Sequence, residues 1–386
     1  MMPDEAAAEH GAHARVHLMN EIDAAGGWLS FERFMDLALY APGLGYYSGG
    51  AQKLGAGGDF TTAPEVSSLF GRCVALQCAE VLRALTAGSI LEIGAGSGRL
   101  AADILARLEG LKRLPEHYWI LEVSAELRER QRKFLEARLP HLLQRVSWLD
   151  RPPEEPFDGL ILANEVLDAL PVARFRWFAR GVEELGVAID GEHFRWAARP
   201  ATSVLSQACR RLFEASGGGW DEGYVSEYCP RATAWTGAVT QSLHKGAALW
   251  FDYGLPRAQY YLPERHEGTL LCHFRHRANS DPFSHVGLQD ITAWVDFTLL
   301  AEASREAGFG LAGFTTQAHF LAGLCIDDEM RLAAGENENV FARLANQARQ
   351  LMLPGEMGER FKAMAWLRDL DIPLSGFALL DLRHTL

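Results

Sequence analysis

The ten residues LEIGAGSGRL, positions 91 to 100, constrain this chain more than any other stretch. The apolar run SILEI leads into glycines at 94, 96 and 98, and a helical pattern follows to residue 109. Glycine is costly in regular structure, so its use at alternating positions points to backbone that passes close to something. A strand, a glycine turn and a helix N-terminus together present backbone N–H groups to a ligand. The spacing departs from the dinucleotide fingerprint G-x-G-x-x-G, because the third glycine comes one residue early and Arg99 takes its place. That pattern suits a nucleoside without a pyrophosphate better than it suits NAD.

The surrounding sequence repeats the same rhythm. HYWILEVS (117–124) reads as a second strand and SAELRERQRKFLEARL as a second helix. VSWLD (146–150) reads as a third strand and FDGLILANE (157–165) as a fourth. Alternation at βαβ spacing implies a parallel sheet covered on both faces. Upstream, PEVSSLFGRCVALQCAEVLRAL has helical periodicity from Pro64, and FERFMDLALY is a short helix ending before Pro42. The first twenty or so residues read as polar and loose. From 171 to 240 the rhythm breaks into antiparallel-type runs and helical pieces, and GAALWFDYG (246–254) resumes the core pattern. The expected division is a helical region at 20–87, a core built from 88–170 and 241–386, and an inserted α+β subdomain at 171–240. The expected fold class is a Rossmann-like α/β open sheet with that insertion and an N-terminal helical extension.

Composition narrows the partners. The 386 residues carry a formal net charge of −13, which disfavours a general nucleic-acid surface. The apolar fraction of 48% supplies a sizeable core, yet no apolar run is long enough for a membrane span. The six cysteines are scattered and read as buried small hydrophobes, not as a disulfide framework or metal ligands. With no signal-peptide core at the N-terminus, the expected compartment is the cytoplasm. No spacing of ligating residues supports a metal site.

Two acids strengthen the nucleoside reading. Glu92 sits in the strand before the glycine loop, placed to accept from an ammonium group or to orient loop amides. Glu122 ends the next strand, where a carboxylate reaches a ribose diol. Asp150, after the third strand, is a candidate near the base. S-adenosyl-L-methionine matches glycine backbone, carboxylate and apolar wall in turn. Three further stretches carry chemistry. GAGGDFTTAPEVSSLFG (55–71) has Asp59, and has Thr62 and Pro64 at a helix start. LANEVLDALPV (162–172) puts Asn164 and Glu165 at the ligand edge of a parallel sheet, with Asp168 one turn on. WFDYG (250–254) puts Asp252 at the same edge. A helix-capping Asn164 and a solvated Asp168 remain the alternative account of those two residues.

The segments GDFTTAPEVSSLFG, LANEVLDALPV, FDYG and DITAWVDF resemble the signature stretches of the MidA family, and the likeness runs over nearly the whole chain. The resemblance implies a class I methyltransferase that uses S-adenosyl-L-methionine. It implies a cofactor loop of Glu92, Gly94, Gly96 and Gly98, with Glu122 as the ribose acid. It also implies a lid or wall over the cofactor at 58–65. Because the mitochondrial member is a protein arginine methyltransferase, the implied partner is a protein with an accessible arginine. Asp59, Glu165, Asp168 and Asp252 are then the candidate acids around the acceptor, and Thr62, Pro64 and Asn164 line the cofactor. Two departures bear on substrate: Trp294 stands where the family has a histidine, and Ala179 stands where it has a glutamate. The rival readings are a cofactor-binding assembly factor with little turnover and a small-molecule methyltransferase.

Overall fold

The computed structural model describes residues 5–49 and 61–386. Contacts divide the chain into two units. One takes Met1–Phe60, Leu167–Ala232 and Leu255–Leu299, and the other takes Thr61–Val166, Thr233–Gly254 and Leu300–Leu386. The boundaries differ from the expected 20–87, 171–240 and remainder. Residues 61–87 pack with the sheet unit, and the helix Ala232–Thr240 falls in that unit almost entirely.

The sheet unit holds seven strands. In chain order they are β1 (Ser89–Ile93), β2 (Tyr118–Leu121), β3 (Val146–Leu149), β4 (Phe157–Asn164), β5 (Leu243–Leu255), β6 (Gly310–Thr316) and β7 (Phe361–Arg368). They run side by side in the order β3-β2-β1-β4-β5-β7-β6. The pairs from β3 through β5 are parallel, and β7 lies antiparallel to both β5 and β6. The chain works outward from β1 in one direction, then restarts at β4 in the other. The crevice between the C-terminal ends of β1 and β4 is therefore the topological switch point, where open α/β sheets bind ligands. β1 is buried along its whole length, as a strand covered on both faces must be.

Three helices matter to the site. α1 (Ser68–Arg83) buries Leu69, Phe70, Cys73, Val74, Gln77, Cys78 and Val81, and that spacing is helical. It starts at 68 because the Ser67 side chain accepts from the Leu69 N–H and caps it. The chain has a separate short turn, Ala63–Val66, before that cap, so the single helix read from Pro64 is two pieces. α2 (Arg99–Gly110) follows the glycine loop, and α3 (Ala125–Arg138) follows β2, capped by Ser124.

The other unit is antiparallel. Strands Ala173–Phe178, Gly181–Asp190 and His193–Pro200 form a meander, joined by Val225–Tyr228 and Leu29–Ser30. A second small sheet pairs Leu271–Phe274 with Arg277–Asn279 and Asp290–Thr292. The N-terminal segment is not loose: Glu5–Ala24 is a helix that buries Ala14, Leu18 and Ile22. Those residues lie four apart, so they form one apolar stripe, and the stripe packs into a core shared with Phe31, Phe34 and Val187.

Candidate functional site

The loop after β1 is built for close approach. Gly94, Gly96 and Gly98 all have positive φ, at 65°, 55° and 85°, in a region that glycine enters freely. Gly94 is exposed although it directly follows a fully buried strand, so the loop opens a face at the sheet edge. A Cβ added at Gly94 would stand 3.1 Å from Val166 Cγ2, closer than an ordinary van der Waals contact. The Gly94 N–H donates to the Leu121 carbonyl (3.0 Å) and ties the loop to β2.

Glu122 stands at the C-terminal end of β2 and is nearly buried. Its Oε1 accepts from the Ser124 N–H (2.9 Å) and its Oε2 from Gln131 Nε2 (3.2 Å). These bonds fix the carboxylate where an acid meets the ribose diol in a doubly wound sheet. Gln131, wholly buried in α3, also donates to the Gly96 carbonyl (3.0 Å) and accepts from Trp148 Nε1 (2.9 Å). One side chain thus joins the glycine loop, Glu122 and β3. Val123, beside Glu122, is 72% exposed, an apolar surface suited to a flat base. Asp150 is exposed just past β3. The polar and apolar groups a nucleoside requires are therefore present on one edge of one sheet.

Glu92 lies in the strand before the glycine loop, as expected. It is buried in β1 and accepts from the Tyr118 hydroxyl (2.7 Å), within the strand layer and not at the loop amides. Burial pushes its carboxyl up to about 7, against the bond from Tyr118 that favours ionisation.

Glu165, directly after β4, has φ +53°, an uncommon conformation for a residue with a side chain. Its N–H donates to the Phe251 carbonyl (2.8 Å). Its Oε1 accepts from the Ala63 N–H and from Asn164 Nδ2, each at 3.3 Å. Asn164 therefore serves Glu165, not a helix cap. Asp252 is fully buried, with Oδ2 accepting from the Val166 N–H (3.2 Å) and Oδ1 from the Tyr253 N–H (2.9 Å). It pins the turn that carries Glu165. Across the β5–β7 ladder, Lys362 lies opposite Asp252 and donates to the Glu359 carbonyl; burial pulls its ammonium down to about 8.

The segment 62–66 is held to the loop by Glu65. One carboxylate oxygen accepts from Ser97 Oγ and the other pairs with Arg99 Nε at 2.8 Å. Pro64 is buried in the first turn of that segment, and Thr62 precedes it without a side-chain cap bond. Asp59 lies outside the described residues. Asp168 belongs to the antiparallel unit, where it is buried and its carbonyl accepts from the Ala293 N–H (3.0 Å). The two departures from the resembled pattern are in that unit too. The Trp294 N–H donates to Thr269 Oγ1 (3.1 Å) and its ring lies under the Arg265 guanidinium, whereas Ala179 is an exposed turn residue.

Sequence reasoning missed Gln131 and the positioning use of Glu65. The signal for Gln131 was only its place in α3, in a strongly charged helix with little apolar pattern. Among the described residues, no cluster of three or more His, Cys, Asp or Glu side chains is arranged to hold a metal, and no helix is long and apolar enough to cross a membrane.

A profile of the S-adenosyl-L-methionine-dependent methyltransferase family matches residues 73–315. A crystal structure from Burkholderia thailandensis with S-adenosylhomocysteine bound is similar at TM-score 0.95 and 43% identity, with all of both chains covered. The chain is 30% identical to the protein arginine methyltransferase NDUFAF7, mitochondrial, of Danio rerio, over 95% of this chain and 92% of that one. It is also 30% identical to the Bos taurus protein of the same name, over 90% and 82%. These relatives are mitochondrial, which overturns the cytoplasmic placement expected from the cysteines and the N-terminal composition. Neither feature separates the cytosol from an organelle interior that also keeps thiols reduced. The cofactor is S-adenosyl-L-methionine, and the fold is the class I methyltransferase fold with added α+β structure and N-terminal helices. With fold, cofactor and relatives in agreement, the chain belongs to the MidA and NDUFAF7 family of S-adenosyl-L-methionine-dependent methyltransferases.

Proposed function

We propose that this methyltransferase transfers its methyl group to an arginine side chain of a partner protein, with Glu165 as the acid that holds the guanidinium. The observation that carries the reading is the conformation of Glu165. A carboxylate on a left-handed residue at the switch-point edge is strained backbone, and such strain is kept where a side chain must be aimed. The likeness to relatives named as protein arginine methyltransferases supports the choice of acceptor.

The cofactor supplies an electrophilic methyl carbon on a sulfonium. The chain's own residues do the rest by positioning. The glycine loop and Glu122 hold the nucleoside, and Gln131 keeps both in register. An arginine guanidinium is charged at all ordinary pH, so an acid beside it orients the nitrogen and stabilises the charge that it keeps. The attacking nitrogen takes the methyl carbon as the carbon–sulfur bond breaks, with its electron pair left on the sulfur of S-adenosylhomocysteine, and then loses a proton to solvent, so no strong base is needed. Asp252 acts through the backbone of Val166 and Tyr253, as a positioning residue. Asn164 and the Ala63 N–H fix the Glu165 carboxylate. Thr62 and Pro64 stand as the cofactor wall in this reading, and Asp150 as a contact near the base.

The test is methyl transfer from labelled S-adenosyl-L-methionine to mitochondrial or bacterial lysate, read by peptide mass. A gain of about 14 or 28 Da on arginine is expected from one or two methyl groups. Glu165→Gln should lower turnover by one to two orders of magnitude, roughly the loss of one charge-assisted contact, and leave cofactor affinity within about twofold. Label appearing on a small molecule and on no protein would contradict the acceptor. Full activity of the Glu165→Gln protein would contradict the residue.

A further inference from the structure

Three arginines from three separate helices converge on one cavity of the sheet unit. The cavity has a volume of about 330 Å³, and Arg99 of α2, Arg138 at the end of α3 and Arg343 of the helix Glu338–Met352 line it together with Ser67 and Gln347. A single amphipathic helix with a basic face does not explain this, because each guanidinium comes from a different element. The chain as a whole is acidic, with a formal charge of −13, so a concentration of cations needs a local cause.

The cations are incompletely neutralised. Among the described residues, the single carboxylate in the lining is Glu65, and it is committed to Arg99 Nε at 2.8 Å and to Ser97. Arg138 lies 3.9 Å from Asp103, at the outer limit of an ion pair, with its side chain 53% exposed. Arg343 has no ion-pair partner among the described residues and is exposed. The lining adds hydrogen-bonding groups without charge: the Ser67 hydroxyl donates to Gln347 Oε1 (3.0 Å), which leaves the Gln347 amide N–H₂ as a donor at the cavity. Guanidinium forks with amide and hydroxyl donors are the chemistry that recognises phosphate oxygens.

We infer that this cavity binds a small free oligo-anion of the diphosphate class, held by Arg343, Arg138 and Arg99. The site is separate from the cofactor crevice and is linked to the glycine loop through Glu65, which pairs with Arg99 and accepts from Ser97. An anion that engages Arg99 competes with Glu65 for the same guanidinium, and Glu65 also holds Ser97 in the glycine loop. Occupancy of the cavity therefore changes the affinity for S-adenosyl-L-methionine, and the cofactor changes the anion affinity by the same factor.

The probe is inorganic diphosphate, titrated calorimetrically into the full-length protein at fixed ionic strength, with chloride as the matched control. Saturable binding is expected, weakened about tenfold or more in both Arg343→Gln and Arg138→Gln, since each removes one charge-assisted contact. Both side chains are exposed at the surface, so the variants should unfold at the wild-type midpoint and bind the cofactor normally when diphosphate is absent. Heats no larger than the chloride control would overturn the site. Binding that both variants leave intact and that the cofactor abolishes would place diphosphate in the cofactor crevice and overturn it too. Cofactor affinity that stays constant at saturating diphosphate would overturn the link through Arg99.

Discussion

Replacing Gln131 by leucine should loosen the cofactor site from behind. The side chain is wholly buried and makes three hydrogen bonds: to the Gly96 carbonyl at 3.0 Å, to Glu122 Oε2 at 3.2 Å and from Trp148 Nε1 at 2.9 Å. Two of them are neutral and one is to a carboxylate. At about 0.5–1.5 kcal/mol for a neutral bond and about 1.5–3 for a charged one, the sum is several kcal/mol. The added apolar volume of leucine offsets part of it. A net loss of about 2–4 kcal/mol is expected by urea unfolding. Cofactor affinity should fall as well, because Glu122 and Gly96 lose their common tether. If misorientation costs about 1 kcal/mol, the fall is roughly fivefold. Gln131→Glu offers a second handle. It keeps an acceptor for Trp148 but puts a carboxylate against Glu122, so affinity should recover as pH falls and one of the pair takes up a proton. A Gln131→Leu protein with wild-type stability and wild-type affinity would show that this tether holds neither the fold nor the cofactor site.

Other consequences follow from buried charge. Glu92 holds its proton up to about 7, against an ordinary carboxyl value of 4.5. Between those values the native state binds more protons than the unfolded chain, so its contribution is full below about 4.5 and is lost as pH rises through about 7, a change of roughly 3 kcal/mol. Glu92→Gln should flatten that part of a stability–pH curve, and an unchanged curve would contradict the assignment. Glu329 is nearly buried between Arg107, at 2.6 and 3.1 Å, and Arg72, at 2.8 Å. Removing it in Glu329→Ala leaves two half-buried cations without their anion and should cost about 3–5 kcal/mol in urea, with cofactor affinity unchanged in the folded protein. Gly94→Ala forces a Cβ toward Val166 at a positive φ and should weaken the cofactor by more than it weakens the fold.

Much of the sheet was legible because parallel strands buried on both faces leave continuous apolar runs, as in SILEI and FDGLILAN. The glycine loop was legible because three positive-φ positions in five residues leave glycine as the natural choice. The reversal of β7 was not, since an apolar strand reads the same in either direction and only tertiary pairing sets its sense. The N-terminal helix was missed because most of its apolar residues are small alanines; only the four-residue spacing of Ala14, Leu18 and Ile22 marks it. Asp252 illustrates a deeper difficulty. Its place at a strand end was readable, but whether a carboxylate faces a ligand or caps backbone N–H groups depends on the chain around it. Here it accepts from the Val166 and Tyr253 N–H groups and so pins the turn that carries Glu165. Gln131 was invisible for a related reason. A glutamine among arginines and glutamates in α3 looks like surface until the loop, Glu122 and Trp148 are folded around it.

Calorimetric titration of S-adenosyl-L-methionine into the wild-type and Glu122→Ala proteins shows whether the loop after β1 and the acid after β2 form one cofactor site. Saturable one-to-one binding to the wild type is expected, with no comparable response to NAD and a loss of about tenfold or more in Glu122→Ala, from a charged acceptor worth about 1.5–3 kcal/mol. Equal binding by both proteins, or a response to NAD in place of S-adenosyl-L-methionine, would contradict it.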